Sequence, residues 1–135
     1  MKMLLTKKFS FEMAHALDGY EGKCAHLHGH SYHLEVTVEA MQLGPDGMGF
    51  DFHSLKQIVQ KEVIDRFDHA LVLSADSTLL PESGLANLVR LPFNPTTENL
   101  LLHFADLLKP CMPEGIRLYS LRLAETESSV AELVL

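Results

Sequence analysis

Two stretches of this chain alternate apolar and polar residues with period two, and histidines stand at the ends where the stretches approach each other. In Lys7 to Ala14, Phe9, Phe11 and Met13 share one face, and Lys8, Ser10 and Glu12 the other. In Ser31 to Met41, Tyr32, Leu34, Val36 and Val38 oppose His33, Glu35, Thr37 and Glu39. Period two specifies half-buried strands, because successive side chains leave opposite faces of a sheet. Between the strands lies Cys24-Ala25-His26-Leu27-His28-Gly29-His30, preceded by His15 in Phe11-Glu12-Met13-Ala14-His15. His28 and His30 are two apart, so at the start of a strand both point the same way. His15, at the end of the earlier strand, can supply a third nitrogen. Three protein ligands leave a metal open to substrate, whereas four close it. Imidazoles with no second thiolate suit zinc, although ligand type also admits iron, nickel or copper. His26 shares the face of His28 and competes for a ligand place.

Cys24 has two readings. As a fourth ligand it makes the metal structural and the protein a binding module. As a free thiol beside a cation it has a lowered pKa and a useful thiolate fraction at neutral pH. Cys111, between Pro110 and Pro113, has no titratable neighbours in sequence and reads as incidental, as do His33, His53 and His103. Asp68-His69 ends a predicted helix. His69 is a candidate proton-transfer group tuned by Asp68, since imidazole titrates nearest to neutrality. Glu125 ends a predicted strand in Leu123-Ala124-Glu125-Thr126-Glu127. A carboxylate there is either solvated or aimed at two N–H donors of a heterocycle edge, a charge-assisted bidentate contact.

The remaining pattern bounds the class. With 135 residues, 47% of them hydrophobic, the chain suffices for one domain, 1–135, with a real core. Its formal net charge of -7 and lack of a basic run argue against a nucleic-acid surface. Two cysteines make no disulfide framework, no apolar stretch reaches the roughly 20 residues that span a bilayer, and the N-terminus lacks a signal-peptide pattern. A reduced, cytoplasmic protein is expected.

Asp51 or Ser54 can cap a helix running to about Phe67, with Leu55, Ile58, Val59, Val63 and Phe67 at helical spacing. Ser74 to Pro95, with Pro81, Gly84, Pro92 and Pro95, reads as irregular apart from a short extended piece at Leu88 to Leu91. A second helix starts at Thr96, which can cap it, and stops before Pro110; Leu100, Leu101, Phe104, Leu107 and Leu108 form its buried stripe. Strands follow at about Arg117 to Ala124 and Ser129 to Val134. The order ββααββ predicts an α+β fold, a four-stranded antiparallel sheet with two helices on one face. Its exposed edges favour oligomerisation.

Taken together, these residues resemble the 6-pyruvoyl-tetrahydropterin synthase and 6-carboxy-tetrahydropterin synthase family. The resemblance covers Phe11 to His15, Cys24 to His30, Gly47 to Lys56, Asp68-His69, Pro-Thr-Thr-Glu-Asn at 95–99 and Glu125-Thr126. It implies the tunnelling fold (T-fold), with sheets joined edge to edge into an oligomeric barrel, usually a hexamer of two stacked trimers. It implies Zn²⁺ on His15, His28 and His30, with His26 not a ligand. It also implies a catalytic set of Cys24, Asp68 and His69, the last two reaching the metal and thiol across a subunit boundary. Glu125 would anchor a pterin ring, with Thr96, Thr97 and Glu98 near it. The implied enzyme is a zinc-dependent lyase acting on 7,8-dihydroneopterin triphosphate. The 6-pyruvoyl branch eliminates triphosphate and keeps the three-carbon chain; the 6-carboxy branch also loses acetaldehyde, on the path to queuosine and other 7-deazapurines. Three residues separate Cys24 from His28, the spacing typical of the carboxy branch. Two features depart from the pattern: Met13 stands where a small residue is usual, and the 74–95 stretch is long.

Overall fold

The computed structural model describes residues 2–79 and 87–135. The four expected strands are present as neighbours. β1 (Met3–His15) pairs antiparallel with β2 (His28–Ala40), and after the helical segment and two short strands, β5 (Ile116–Thr126) pairs with β2 and β6 (Ser129–Val134) with β5. The short strands extend the sheet beyond the expected four. β3 (Ala70–Ser74) lies parallel to β1, and β4 (Leu88–Leu91) parallel to β3, giving a six-stranded mixed sheet in the order β4-β3-β1-β2-β5-β6. β4 is the extended piece expected at Leu88 to Leu91. β3 escaped the sequence reading, because Ala70-Leu71-Val72-Leu73 is a continuous apolar run without alternation, as expected of a strand covered on both sides. The irregularity expected around Pro81 and Gly84 lies outside the described residues.

Asp51 caps the first helix, α1 (Phe52–Val59), accepting from the His53 backbone N–H, and Ser54 Oγ donates to the same carboxylate. Both candidate capping residues therefore serve one cap. α1 runs into a π-helical turn, Gln60–Ile64, and a last α turn, α2 (Asp65–Phe67). The wider turn lets the adjacent pair Val63 and Ile64 both be buried, with Phe67 below them. Such turns concentrate near functional sites. The second long helix, α3 (Thr97–Leu108), starts at Thr96, whose Oγ1 accepts from the Asn99 N–H at 3.1 Å.

The core lies between the sheet and the helices. Phe11 stacks on Tyr32 with ring centroids 5.1 Å apart and meets Phe104 edge-on; Phe67 closes the cluster against Phe104. On β5 a bulge keeps this face apolar. Thr37 opposes Ser120 but Val38 opposes Leu118, leaving Tyr119 as the extra residue, so parity switches and Leu118, Leu121 and Leu123 are all buried. A second irregularity follows between Ala124 and Thr126, leaving Glu125 as the extra residue just before the turn into β6. No helix among the described residues is long and apolar enough to cross a membrane.

Candidate metal centre and adjoining cavities

The register of β1 against β2 builds the histidine cluster. His15 pairs with His28 and Met13 with His30, so all three imidazoles leave the core face of the sheet at one end. Their candidate ligand atoms lie within 4.8 Å of one another. His15 is fully buried, at 1% exposure, and its Nδ1 lies 2.8 Å from the Pro95 carbonyl. His28 Nδ1 lies 2.6 Å from the His26 carbonyl. A carbonyl can only accept, so both Nδ1 atoms carry the hydrogen, and in the neutral ring Nε2 presents a lone pair. Those two Nε2 atoms face each other at 3.0 Å. Opposed lone pairs are unfavourable unless a cation lies between them. A tetrahedral zinc with bonds of about 2.0–2.1 Å holds its nitrogens about 3.3 Å apart. His30 Nε2 is buried and has no hydrogen-bond partner among the described residues. An orphaned donor set of this kind fits a borderline cation such as zinc.

Electrostatics point the same way. Burial is the largest influence on both His15 and His30 and lowers the pKa of each. The Pro95 carbonyl and Glu125 oppose it at His15, as Glu125 does at His30, and the neighbouring His28 adds to the lowering at both. Neutral imidazole, the ligating form, is therefore favoured. Glu125 Oε1 lies 3.4 Å from both His15 Nε2 and His30 Nε2. The irregularity at Glu125 turns its side chain toward this end of the sheet, a frequent use of bulges beside active sites.

Cys24 sits in a short turn, Lys23–Ala25, as a half-buried free thiol, and the three-histidine group does not include it. His26 is likewise outside the group and takes part through its backbone carbonyl. Asp68 and His69 follow α2 directly. Asp68 Oδ1 accepts from the Glu12 N–H at 3.0 Å and lies 3.0 Å from His69 Nδ1. His69 N–H donates to the Glu12 carbonyl at 2.6 Å. His69 has φ of 61°, a left-handed conformation uncommon for a non-glycine residue and often found where function requires it. Its side chain is exposed and shares the lining of a cavity of about 400 Å³ with His30, Met13 and Ser31. A second cavity, of about 500 Å³, is lined by Thr97, Glu98 and Glu125 together with the 128–131 hairpin. Thr96 contributes its hydroxyl to the helix cap.

The structure thus brings His15, His28, His30 and Glu125 together, joins Asp68 to His69, and sets Thr97 and Glu98 beside Glu125. Cys24 lines neither cavity. The sequence reading missed the backbone partners Pro95, His26 and Glu12. All three act through peptide groups, which leave no residue-type signal.

Comparison with known proteins identifies the architecture. A family profile described as 6-pyruvoyl tetrahydropterin synthase matches residues 4–134. A Haemophilus influenzae protein named 6-carboxy-5,6,7,8-tetrahydropterin synthase is 39% identical over 140 residues, covering 95% of this chain and 96% of its own. A Dictyostelium discoideum 6-pyruvoyl tetrahydrobiopterin synthase is 31% identical over 137 residues, covering 94% and 92%. The solved Plasmodium falciparum 6-pyruvoyl tetrahydropterin synthase superposes with a TM-score of 0.75 at 21% identity, over 98% of this chain and 96% of that one, a likeness of fold. The end-to-end profile match, the full-length relatives and the shared T-fold establish that this chain belongs to the 6-pyruvoyl tetrahydropterin synthase family.

Proposed function

We propose that this chain, as one tetrahydropterin-synthase domain, is a zinc-dependent 6-carboxy-tetrahydropterin synthase. It converts 7,8-dihydroneopterin triphosphate and one water to 6-carboxy-5,6,7,8-tetrahydropterin, releasing acetaldehyde and triphosphate, and so serves queuosine and 7-deazapurine biosynthesis in the cytoplasm. The observation that carries the reading is the convergence of His15, His28 and His30 with Cys24 outside the group. That arrangement leaves the thiol free for chemistry. The three-residue spacing from Cys24 to His28 and the 39% identity to a relative named for the carboxy product favour that branch.

His15, His28 and His30 would hold the zinc, which when bound supplies Lewis-acid polarisation of the substrate's side-chain hydroxyls. Cys24 takes a proton from the substrate side chain. His69 relays protons, held in place by Asp68 on one side and the Glu12 backbone on the other. The Glu125 carboxylate accepts from the ring N–H groups of the pterin, and Thr97 and Glu98 form the wall opposite the 128–131 hairpin. Thr96 fixes that wall by capping α3. Asp68 and His69 act together with Cys24 of a neighbouring protomer, which gives the exposed sheet edges of β4 and β6 a role in a homo-oligomer, a hexamer of two trimers.

The test is incubation of zinc-loaded protein with 7,8-dihydroneopterin triphosphate, following products by mass, beside Cys24→Ala. The expected result is a 6-carboxy product with acetaldehyde. The variant should lose about 10²–10⁴-fold in rate, the usual contribution of a general base, with zinc retained. A product that keeps the three-carbon chain would move the protein to the pyruvoyl branch, the activity named for its 31% identical relative. No turnover, with zinc lost in the variant, would leave a binding module.

A further inference from the structure

His15 is oriented by the hydrogen bond its Nδ1 makes to the Pro95 carbonyl, and the residue before that proline, Asn94, is held through both its carbonyl and its side chain. Pro95 is the centre of a tight turn in which the Thr96 N–H donates back to the Asn94 carbonyl at 2.9 Å. Proline suits the centre of such a turn because its φ is fixed near the required value. Asn99 Nδ2, from the first turn of α3, donates to the same Asn94 carbonyl at 2.9 Å. The Asn94 side chain then pairs as an amide with the backbone of Asp18: Nδ2 donates to the Asp18 carbonyl at 2.9 Å, and Oδ1 accepts from the Asp18 N–H at 3.2 Å. Asp18 is anchored in turn, its carboxylate accepting from Ser74 Oγ at 3.2 Å and Ser77 Oγ at 3.1 Å, at and just past the end of β3.

We infer that Asn94, backed by Asp18, is a positioning residue for the metal centre: its amide locks the 94–96 turn so that the Pro95 carbonyl holds His15 in its ligating orientation. The contacts run unbroken from Ser74 and Ser77 through Asp18 and Asn94 to Pro95 and His15 Nδ1. A neutral histidine can rotate or switch tautomer when its second nitrogen loses its acceptor, and the ligand nitrogen then turns away. Asn94 is not one of the three histidines and lines neither cavity, and it precedes the proline whose carbonyl holds His15. The inference rests on the reading of His15, His28 and His30 as ligands.

The test measures zinc affinity by competition with a colorimetric chelator, and the visible spectrum of the cobalt-substituted protein, for the wild type, Asn94→Ala and Ser77→Ala. Asn94→Ala should weaken zinc binding about 10–100-fold, the usual cost of losing a partner of a ligand, and change the cobalt spectrum. Ser77→Ala removes the outer contact to Asp18, along with the bond Ser77 Oγ accepts from the Leu79 N–H, and keeps Ser74 on Asp18; a smaller loss of the same sign is expected. It also decides the matter should Asn94→Ala fail to fold. A variant with a lowered melting temperature but wild-type zinc affinity and cobalt spectrum would show a merely structural role and overturn the inference. A wild-type protein that takes up no zinc would remove both this inference and the proposed function. Equal affinity in an active, zinc-loaded wild type and a folded variant would remove the inference alone.

Discussion

The ladder between β1 and β2 has two ends made of the same strands and the same sheet face, yet they are held by different forces. At Phe9 against Leu34 and Phe11 against Tyr32 the face is covered by helices and packed with rings and aliphatic chains. Further along, at Met13 against His30 and His15 against His28, three imidazoles meet edge to face, and the outer nitrogens of His15 and His28 are fixed by backbone carbonyls. Apolar packing is non-directional and rewards filled volume. The histidine end depends on direction: hydrogen bonds to carbonyls use up the Nδ1 atoms of His15 and His28 and leave their Nε2 atoms facing each other beside the unpartnered Nε2 of His30. One end stabilises the fold, and the other holds unsatisfied donors that a cation can complete.

Substitutions can break that contrast. Phe104→Ala, in the centre of the packed end, should cost about 3–5 kcal/mol in urea denaturation, while the folded fraction keeps its full zinc stoichiometry. Loss of zinc there would mean that the two ends are not separable. His30→Ala should do the opposite. Zinc affinity falls by at least about a hundredfold, more than the loss of a ligand's partner costs. The metal-free stability should move by only about 1 kcal/mol, because the nitrogen removed has no hydrogen bond in the fold. A large loss of metal-free stability would make His30 a structural residue. Thr96→Ala, at the seam between the ends, should cost about 1 kcal/mol through the lost helix cap, and calorimetry would register it as a lowered melting temperature.

The smallest effect expected is a pH dependence. Burial lowers the pKa of His15 and His30, and also of His103 between the Phe67 and Phe93 rings. These histidines therefore take up protons at about pH 6.5 in the unfolded chain while they stay neutral in the folded, metal-free protein. With more protons bound to the unfolded state, stability falls as pH drops through about 6.5 and keeps falling until the folded-state values are reached. The urea midpoint of metal-free protein should accordingly be lower at pH 5.5 than at pH 7.5. A flat profile would contradict the neutral imidazoles inferred for the histidine end.

The legible parts of the fold were those with a local cause. Alternation in 7–14 and 31–41 identified β1 and β2. Helical spacing and the capping threonine located α3, and the two closing strands fell where expected. The His15, His28 and His30 group was legible because both strands carry their histidines at the same parity as their core residues, so pairing alone brings them together. β3 was not legible, since a short apolar run takes its conformation from the strands beside it. Nor were the bulges at Tyr119 and Glu125, which arise only when β5 must match two partners. His69 combines a left-handed backbone with a bond to the distant Glu12 carbonyl, and nothing in Asp68-His69 announces it.

The sequence by itself determined which strands hold the three candidate histidines and on which face, because periodicity acts over a few residues. Only the tertiary structure decided how those groups are aimed. The Pro95 and His26 carbonyls set the imidazoles, a bulge turns Glu125, and β3 lying beside β1 at Met13–His15 brings Asp68 and His69 against Glu12. Aim depends on peptide groups contributed from distant parts of the chain, and a peptide group is the same whichever residue bears it.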